Sequence, residues 1–129
     1  MAKWVTDESV DVSTNVTKPP KKLPKGSLKA WSFPPKAKVG EWNDFYVDVE
    51  NSGEGGGYVG WKLINKEGNP GTVVVKVNDT EGTLAPGYAM VVFQYLNPGD
   101  SFETYGDIKF ESPGSYTLTL EAGHYEEEE

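Results

Sequence analysis

Apolar and polar residues alternate with a period of two along most of the chain. From Trp42 to Glu50, Phe45, Val47 and Val49 take one parity while Tyr46, Asp48 and Glu50 take the other. Val59, Trp61 and Leu63 repeat the pattern within Tyr58 to Asn65, as do Val73, Val75 and Val77 within Thr72 to Asn78. In the last run, Tyr116, Leu118, Leu120 and Ala122 oppose Thr117, Thr119 and Glu121. Successive side chains of a strand point to opposite faces, so this is the signature of half-buried strands. Tyr88 to Tyr95 is apolar on both parities; Val91, Phe93 and Tyr95 are assigned to one face, with Tyr88, Met90 and Val92 on the other, as in a central or contact strand. Ser101 to Phe110 groups Phe102, Ile108 and Phe110, with Gly106 read as a bulge or bend. Ser27 to Phe33 opens the series, although Leu28 differs in parity from Trp31 and Phe33. Asp79 to Thr83 reads as a polar loop.

Turn chemistry separates these runs. Pro86-Gly87, Pro98-Gly99 and Pro113-Gly114 each pair a residue with φ preset near −65° with one that tolerates positive φ, the requirement of a type II turn. Gly53 to Gly57 lies between two strands, with neither a following helix nor a Lys-Ser/Thr step, so it reads as a flexible hairpin loop rather than a phosphate cradle. The expected fold is all-β: a single immunoglobulin-like antiparallel β-sandwich of about seven strands with an extended N-terminal arm. Residues 1–26 form the arm and its basic Pro/Lys linker, 27–123 the sandwich, and 124–129 an acidic tail. The expected core is Phe45, Val47, Val49, Trp61, Leu63, Val73, Val75, Val91, Phe93, Phe110, Tyr116, Leu118 and Leu120. Tyr116 is placed as a tyrosine corner, its hydroxyl bonded to nearby backbone.

Composition narrows the chemistry. The 129 residues include no cysteine and no arginine, which removes disulfides, thiolate metal sites and the usual bidentate phosphate reader. The net charge of −8 is unevenly spread: eight lysines and three acids in residues 1–39 give +5, while four lysines and seventeen acids in 40–129 give −13. An acidic body repels nucleic acid and anionic membrane, and a basic arm is drawn to something negative. The one histidine, His124, lies beyond the expected last strand beside Tyr125 and a run of glutamates, with no nucleophile and base at a useful spacing. The expectation is therefore a non-enzymatic chain with no catalytic residue, cofactor or metal site. Asn78-Asp79-Thr80-Glu81 lacks the closing bidentate acid of a calcium loop. No apolar run reaches the length of a signal-peptide core.

Two features point to contacts. Val10, Val12 and Val16 alternate with polar residues ahead of Lys18 to Gly26, where Lys18, Lys21, Lys22 and Lys25 are interleaved with three prolines. Such a spacer favours extended polyproline II. The arm is either a polar terminus or a strand in need of a partner, added to a neighbouring subunit or folded back onto its own sheet. Separately, Trp42, Tyr46 and Tyr58 are candidates for stacking against a glycan, with Trp42 the most exposed by position and Trp61 the core tryptophan.

Val39-Gly40-Glu41, a strand, and then Val49-Glu50-Asn51-Ser52-Gly53 resemble the opening of CARDB-type modules of bacterial and archaeal surface proteins. Leu84-Ala85-Pro86-Gly87 and Pro113-Gly114-Ser115-Tyr116-Thr117-Leu118 resemble that family's second half, although the Leu96-Asn97-Pro98-Gly99 hairpin is extra. The resemblance covers roughly residues 36 to 123 and implies an extracellular adhesion or spacer role with no catalytic residues to transfer. The functional expectation is a structural or assembly subunit at a cell surface, envelope or virion, joined through its arm and sheet edges; the alternative is an adhesion or carbohydrate-binding module. Protein partners, either further copies of the chain or a neighbouring structural subunit, or glycans are expected, and neither nucleic acid nor membrane insertion.

Overall fold

The computed structural model describes residues 2–14 and 22–126. Eight strands follow one another: β1 (Gly26–Ser32), β2 (Asn43–Asn51), β3 (Gly57–Asn65), β4 (Val73–Val77), β5 (Thr80–Leu84), β6 (Ala89–Leu96), β7 (Ser101–Phe110) and β8 (Leu118–His124). They form a five-stranded sheet in the order β1-β2-β7-β4-β5 and a three-stranded sheet in the order β6-β3-β8. Every pairing is antiparallel.

The core lies between the sheets. Phe45, Val47 and Val49 of β2 and Val59, Trp61 and Leu63 of β3 are buried, joined by Val73, Val75, Val77, Leu84, Leu96 and Ile108. Burying such side chains removes large apolar areas from water and supplies most of the folding drive. Trp61 stands edge-on to Phe45 at 6.0 Å, and Phe45 stacks on Phe33 at 5.2 Å. The Trp61 indole N–H crosses to the other sheet and donates to Thr104 Oγ1 at 3.0 Å, so the largest core side chain keeps its polar atom satisfied.

Several expectations change. The eighth strand is β5, where a polar loop was expected. Its Thr80, Glu81 and Thr83 are exposed and only Leu84 is buried, so no apolar alternation marks it. Pairing with β4 through a two-residue turn, with Asn78 at φ 53°, creates it. On β6 the faces are reversed: Val91, Phe93 and Tyr95 point to solvent, while Met90 and Val92 pack on the core. The register with β3 decides this, because Trp61 sits opposite Val92 and Leu63 opposite Met90. Gly106 is no bulge, since it pairs in register with Phe45 on one side and Val77 on the other. The parity conflict in β1 is resolved by a register shift between Leu28 and Ala30 that leaves Lys29 unpaired. Phe110, Tyr116, Leu118 and Leu120 pack against the core but stay half-buried, and the last strand begins at Leu118 and includes His124.

Two Pro-Gly steps are closed turns: Tyr88 N–H donates to Ala85 O and Asp100 N–H to Asn97 O, with Gly87 at φ 91° and Gly99 at φ 86°. The third is open, with Gly114 at φ 134° and no turn hydrogen bond. There the Ser112 carbonyl accepts the Tyr116 hydroxyl at 2.7 Å, the bond expected of a tyrosine corner.

Gly53 to Gly57 is not a free hairpin loop. Lys22, Leu23, Pro24 and Lys25 run across it, so a Cβ at Gly53, Gly55 or Gly57 would collide with their backbone or with the Pro24 ring. Gly55 N–H donates to Leu23 O at 3.2 Å and Ser52 N–H to Lys25 O at 2.9 Å. Glycines are needed here because another backbone approaches closely. The end of the basic linker is thereby part of the sandwich, with Pro24 buried.

Candidate functional site

Three surfaces carry unusual chemistry, and they divide the candidate residues between them. The outer face of the five-stranded sheet is built from the outward parity of β2 and β7. Asp44 lies opposite Asp107, Tyr46 opposite Tyr105 and Asp48 opposite Glu103. The two tyrosine rings are 4.9 Å apart and tilted by 36°. Two like-charged cross-strand pairs thus bracket an aromatic pair, an arrangement that costs stability in an isolated sheet. Asp48 was expected to face solvent; it does lie on the outer face, yet it is 6% exposed and its Oδ1 has no hydrogen-bond partner. A hydrogen bond shared with Asp44 raises the Asp107 carboxyl, followed by desolvation and the Asp44 charge, against the opposing pull of Lys76. Burial, then the Asp48 and Glu103 charges, pushes the Tyr46 hydroxyl up to about 12. Tyr105 is raised first by its hydrogen bond to Glu103, at 3.0 Å. Among the described residues, no lysine Nζ forms a salt bridge with any of these four carboxylates. A hollow of about 440 Å³ opens on this face, lined by Ser32, Asp44, Tyr46, Tyr105 and Asp107.

Trp42 continues the same face, but Lys109 Nζ sits 4.7 Å from its ring centroid. The ring face offered for sugar stacking is therefore occupied by the chain's own cation.

Tyr58 belongs to the opposite side of the molecule. On the outer face of the three-stranded sheet it meets Phe93 at 5.8 Å and Tyr95 at 5.5 Å, and Phe93 meets Tyr125 at 5.0 Å. All four rings are about half exposed. Beside them, a hollow of about 240 Å³ lies over the cross-strand pair Gly60 and Gly123, rimmed by Lys62, Val91, Glu121 and Tyr125. Sequence reasoning missed Phe93 and Tyr95 because it turned β6 over, and Tyr125 because it was placed in the acidic tail; the signal for the first two was that β6 is apolar on both parities.

The third surface is an edge. Among the described residues, β6 pairs with β3 only, and β5 ends the neighbouring sheet without joining it. β4 pairs with β7 only over Gly106 to Phe110, leaving Ser101 to Tyr105 unpaired on that side. Between these two edges lies a cavity of about 310 Å³ lined by Val77, Asn78, Val92, Phe93, Phe102 and Tyr105, among others.

No family model, curated protein or solved structure matches the chain. A functional reading therefore rests on these surfaces.

Of the arm residues, Val10 and Val12 are exposed, and residues 2–14 add no strand to their own sheet, so the folded-back form is not seen there. Val16, Lys18 and Lys21 lie outside the described residues. Lys22 and Lys25 are exposed beside the Gly53–Gly57 loop. Among the described residues, no three His, Asp or Glu side chains converge as a metal site would require, and no helix is long and apolar enough to cross a membrane.

Proposed function

We propose that the chain is a non-enzymatic assembly subunit of an extracellular, envelope or virion structure, joined to further copies through a free sheet edge and its arm. The open edge of β6 carries this reading. Ala-Met-Val-Val-Phe-Gln-Tyr-Leu holds no charge and no proline over eight residues, yet it is bonded on one side only. Edges left open are normally blunted by charge, proline, bulges or shortness. The other three are: β1 has a bulge at Lys29, β5 is five residues long with Glu81, and β8 carries Glu121. An unblunted edge suits strand addition, in which main-chain hydrogen bonds give affinity and side-chain pockets give register. Val91→Glu, which charges this edge, tests it by light scattering across a concentration series. The native chain is expected to associate and the variant to stay monomeric with its melting temperature unchanged; equal association of both would defeat the reading.

The aromatic cluster favours a second reading, a glycan-binding module centred on Tyr58, Phe93, Tyr95 and Tyr125. Glycines beneath a ring-lined hollow let a flat ligand approach the sheet closely. Affinity gels with Phe93→Ala test it, and Trp42→Ala serves as the control. Sugar-dependent retardation lost only in Phe93→Ala would favour this reading over assembly.

A further inference from the structure

The strip formed by Asp44, Tyr46 and Asp48 on β2 and Asp107, Tyr105 and Glu103 on β7 spends stability that the described residues return only in part, through the Tyr105 hydroxyl on Glu103 and the pull of Lys76 on Asp107. Like charges face each other twice, and a carboxylate oxygen of Asp48 is buried without a donor. Local conflicts of this kind mark places where something else completes the structure. What is missing is positive charge, with an apolar element to lie on the two tyrosines.

We infer that this strip is a receptor for the Lys18-Pro19-Pro20-Lys21-Lys22 spacer of a second copy of the chain. The charges complement each other: residues 18–38 carry seven lysines and no acid. Spacing agrees as well. The two acid pairs lie four residues apart along β2, roughly 13 Å at a strand's rise. Lys18 is separated from Lys21 and Lys22 by three and four residues, about 9–12 Å in polyproline II form. With one lysine at each acid pair, Pro19-Pro20 falls over Tyr46 and Tyr105. Proline-rich segments dock in this way on aromatic-lined grooves, with little ordering entropy to lose. Lys109 over Trp42, two residues along the same face, is the chain's own instance of a lysine held on an aromatic ring.

A spacer from another copy reaches both acid pairs without being stretched. The chain's own spacer is tied at Leu23 to Lys25, beside the Asn51 end of β2, and Asp44 lies seven residues away along that strand, about 23 Å. Own-chain Lys18, five residues before Leu23, has at most about 18 Å of extended backbone, so it would meet Asp44 only with its side chain at full stretch along the strand. The inference rests on the assembly reading for its partner, but uses the face of the other sheet rather than the β6 edge.

The test is a synthetic peptide of residues 15–26 titrated into the full chain at low salt, followed by amide chemical shifts. Shifts are expected at Asp44, Tyr46, Glu103, Tyr105 and Asp107, with affinity at least tenfold weaker for the Asp44→Asn/Asp107→Asn chain. Affinity should also weaken with added salt. Val91→Glu should leave peptide binding intact, so failure of the β6 edge and failure of this strip are separable. A peptide with Pro19 and Pro20 replaced by alanine keeps the charge; if it binds as well, and its shifts spread over the whole acidic surface, the strip is no receptor. The chain has no cysteine, so Thr14→Cys carries a single spin label. Mixed with isotope-enriched native chains, it should broaden Tyr46 and Tyr105 between molecules. Broadening seen only when the labelled chain is itself the enriched one, and absent from the mixture, would overturn the second-copy assignment.

Discussion

Asn51 and Asn65 do the same work at two ends of the core. Each is fully buried as the last residue of its strand, β2 or β3. Asn51 Nδ2 donates to Leu96 O at 3.0 Å, and Asn65 Nδ2 donates to Leu84 O at 2.9 Å. Both leucines begin a Leu-x-Pro-Gly turn, and the glycine N–H of each turn returns to the asparagine backbone carbonyl: Gly99 to Asn51 at 2.8 Å and Gly87 to Asn65 at 2.6 Å. One polar device is thus used twice to pin a turn of one sheet to a strand end of the other.

Asn51 also gathers the linker and the glycine loop, accepting from Lys25 N–H at 3.1 Å and Gly53 N–H at 2.9 Å and donating to Gly55 O at 2.9 Å. Asn51→Ala leaves several partly buried backbone groups without partners. It should destabilise the chain by about 3 kcal/mol or more in urea unfolding, at 1–3 kcal/mol for each unsatisfied group. Asn51→Asp should not restore stability, because it keeps the acceptor but sets a charge against two carbonyls. A small effect of both changes would show that this network is not what holds the linker to the sandwich.

Gly106 and Phe45 form a second pair whose sizes are matched. They are cross-strand partners, and a Cβ on Gly106 would lie 2.5 Å from Phe45 Cε1 and 2.6 Å from Lys76 O. Gly106→Ala is expected to cost about 1–3 kcal/mol by overpacking. Phe45→Leu made on top should recover part of that cost, read as a coupling energy in a double-mutant cycle. Strict additivity of the two changes would disprove the contact.

What the sequence disclosed follows from how far its signals reach. β2, β3 and β4 were legible because one parity of each is apolar and the other, for the most part, is not, so the core positions Phe45, Val47, Val49, Trp61, Leu63, Val73 and Val75 could be assigned. β6 was not, since both its parities are apolar and only its register against Trp61 and Leu63 selects a face. β5 has no apolar alternation, and its partner β4 makes it a strand. The loop at Gly53 looked free because the Leu23–Lys25 backbone that crosses it lies nearly thirty residues earlier. The acid and tyrosine strip was visible only as outward polar positions on two separate runs. Pairing Asp48 with Glu103 joins residues 55 positions apart, and no local pattern announces that.

The tyrosines of that strip give an alkaline signature. Tyr46 is raised to about 12 from 10.0, so the folded chain holds its proton through a range where the unfolded chain releases it. Stability from this group is complete below pH 10.0 and is lost as pH rises toward about 12. Ultraviolet titration should show Tyr46 ionising after the exposed tyrosines, and Tyr46→Phe should delete that late step while softening the alkaline loss of stability. Ionisation of every tyrosine together near pH 10 would refute the environment described for the strip.

Asp107 titrates with the opposite consequence at neutral pH. Its carboxyl is raised from 3.8, chiefly by the hydrogen bond it shares with Asp44, so the folded chain prefers it protonated. The unfolded chain releases that proton at lower pH, and stability therefore falls as pH climbs from 3.8 through the raised value. Asp107→Asn removes the charge and still offers Asp44 an amide donor. It should raise the melting temperature at pH 7, and the gain should shrink as pH is lowered through and below 3.8, where the carboxyl becomes protonated in both states. Lys76, opposite Asp107 on β4, works against the gain, so Lys76→Gln should enlarge it. A melting temperature lowered by Asp107→Asn at pH 7 would mean that the ionised carboxylate is already well compensated within the free chain, and that the strip has no need of outside lysines.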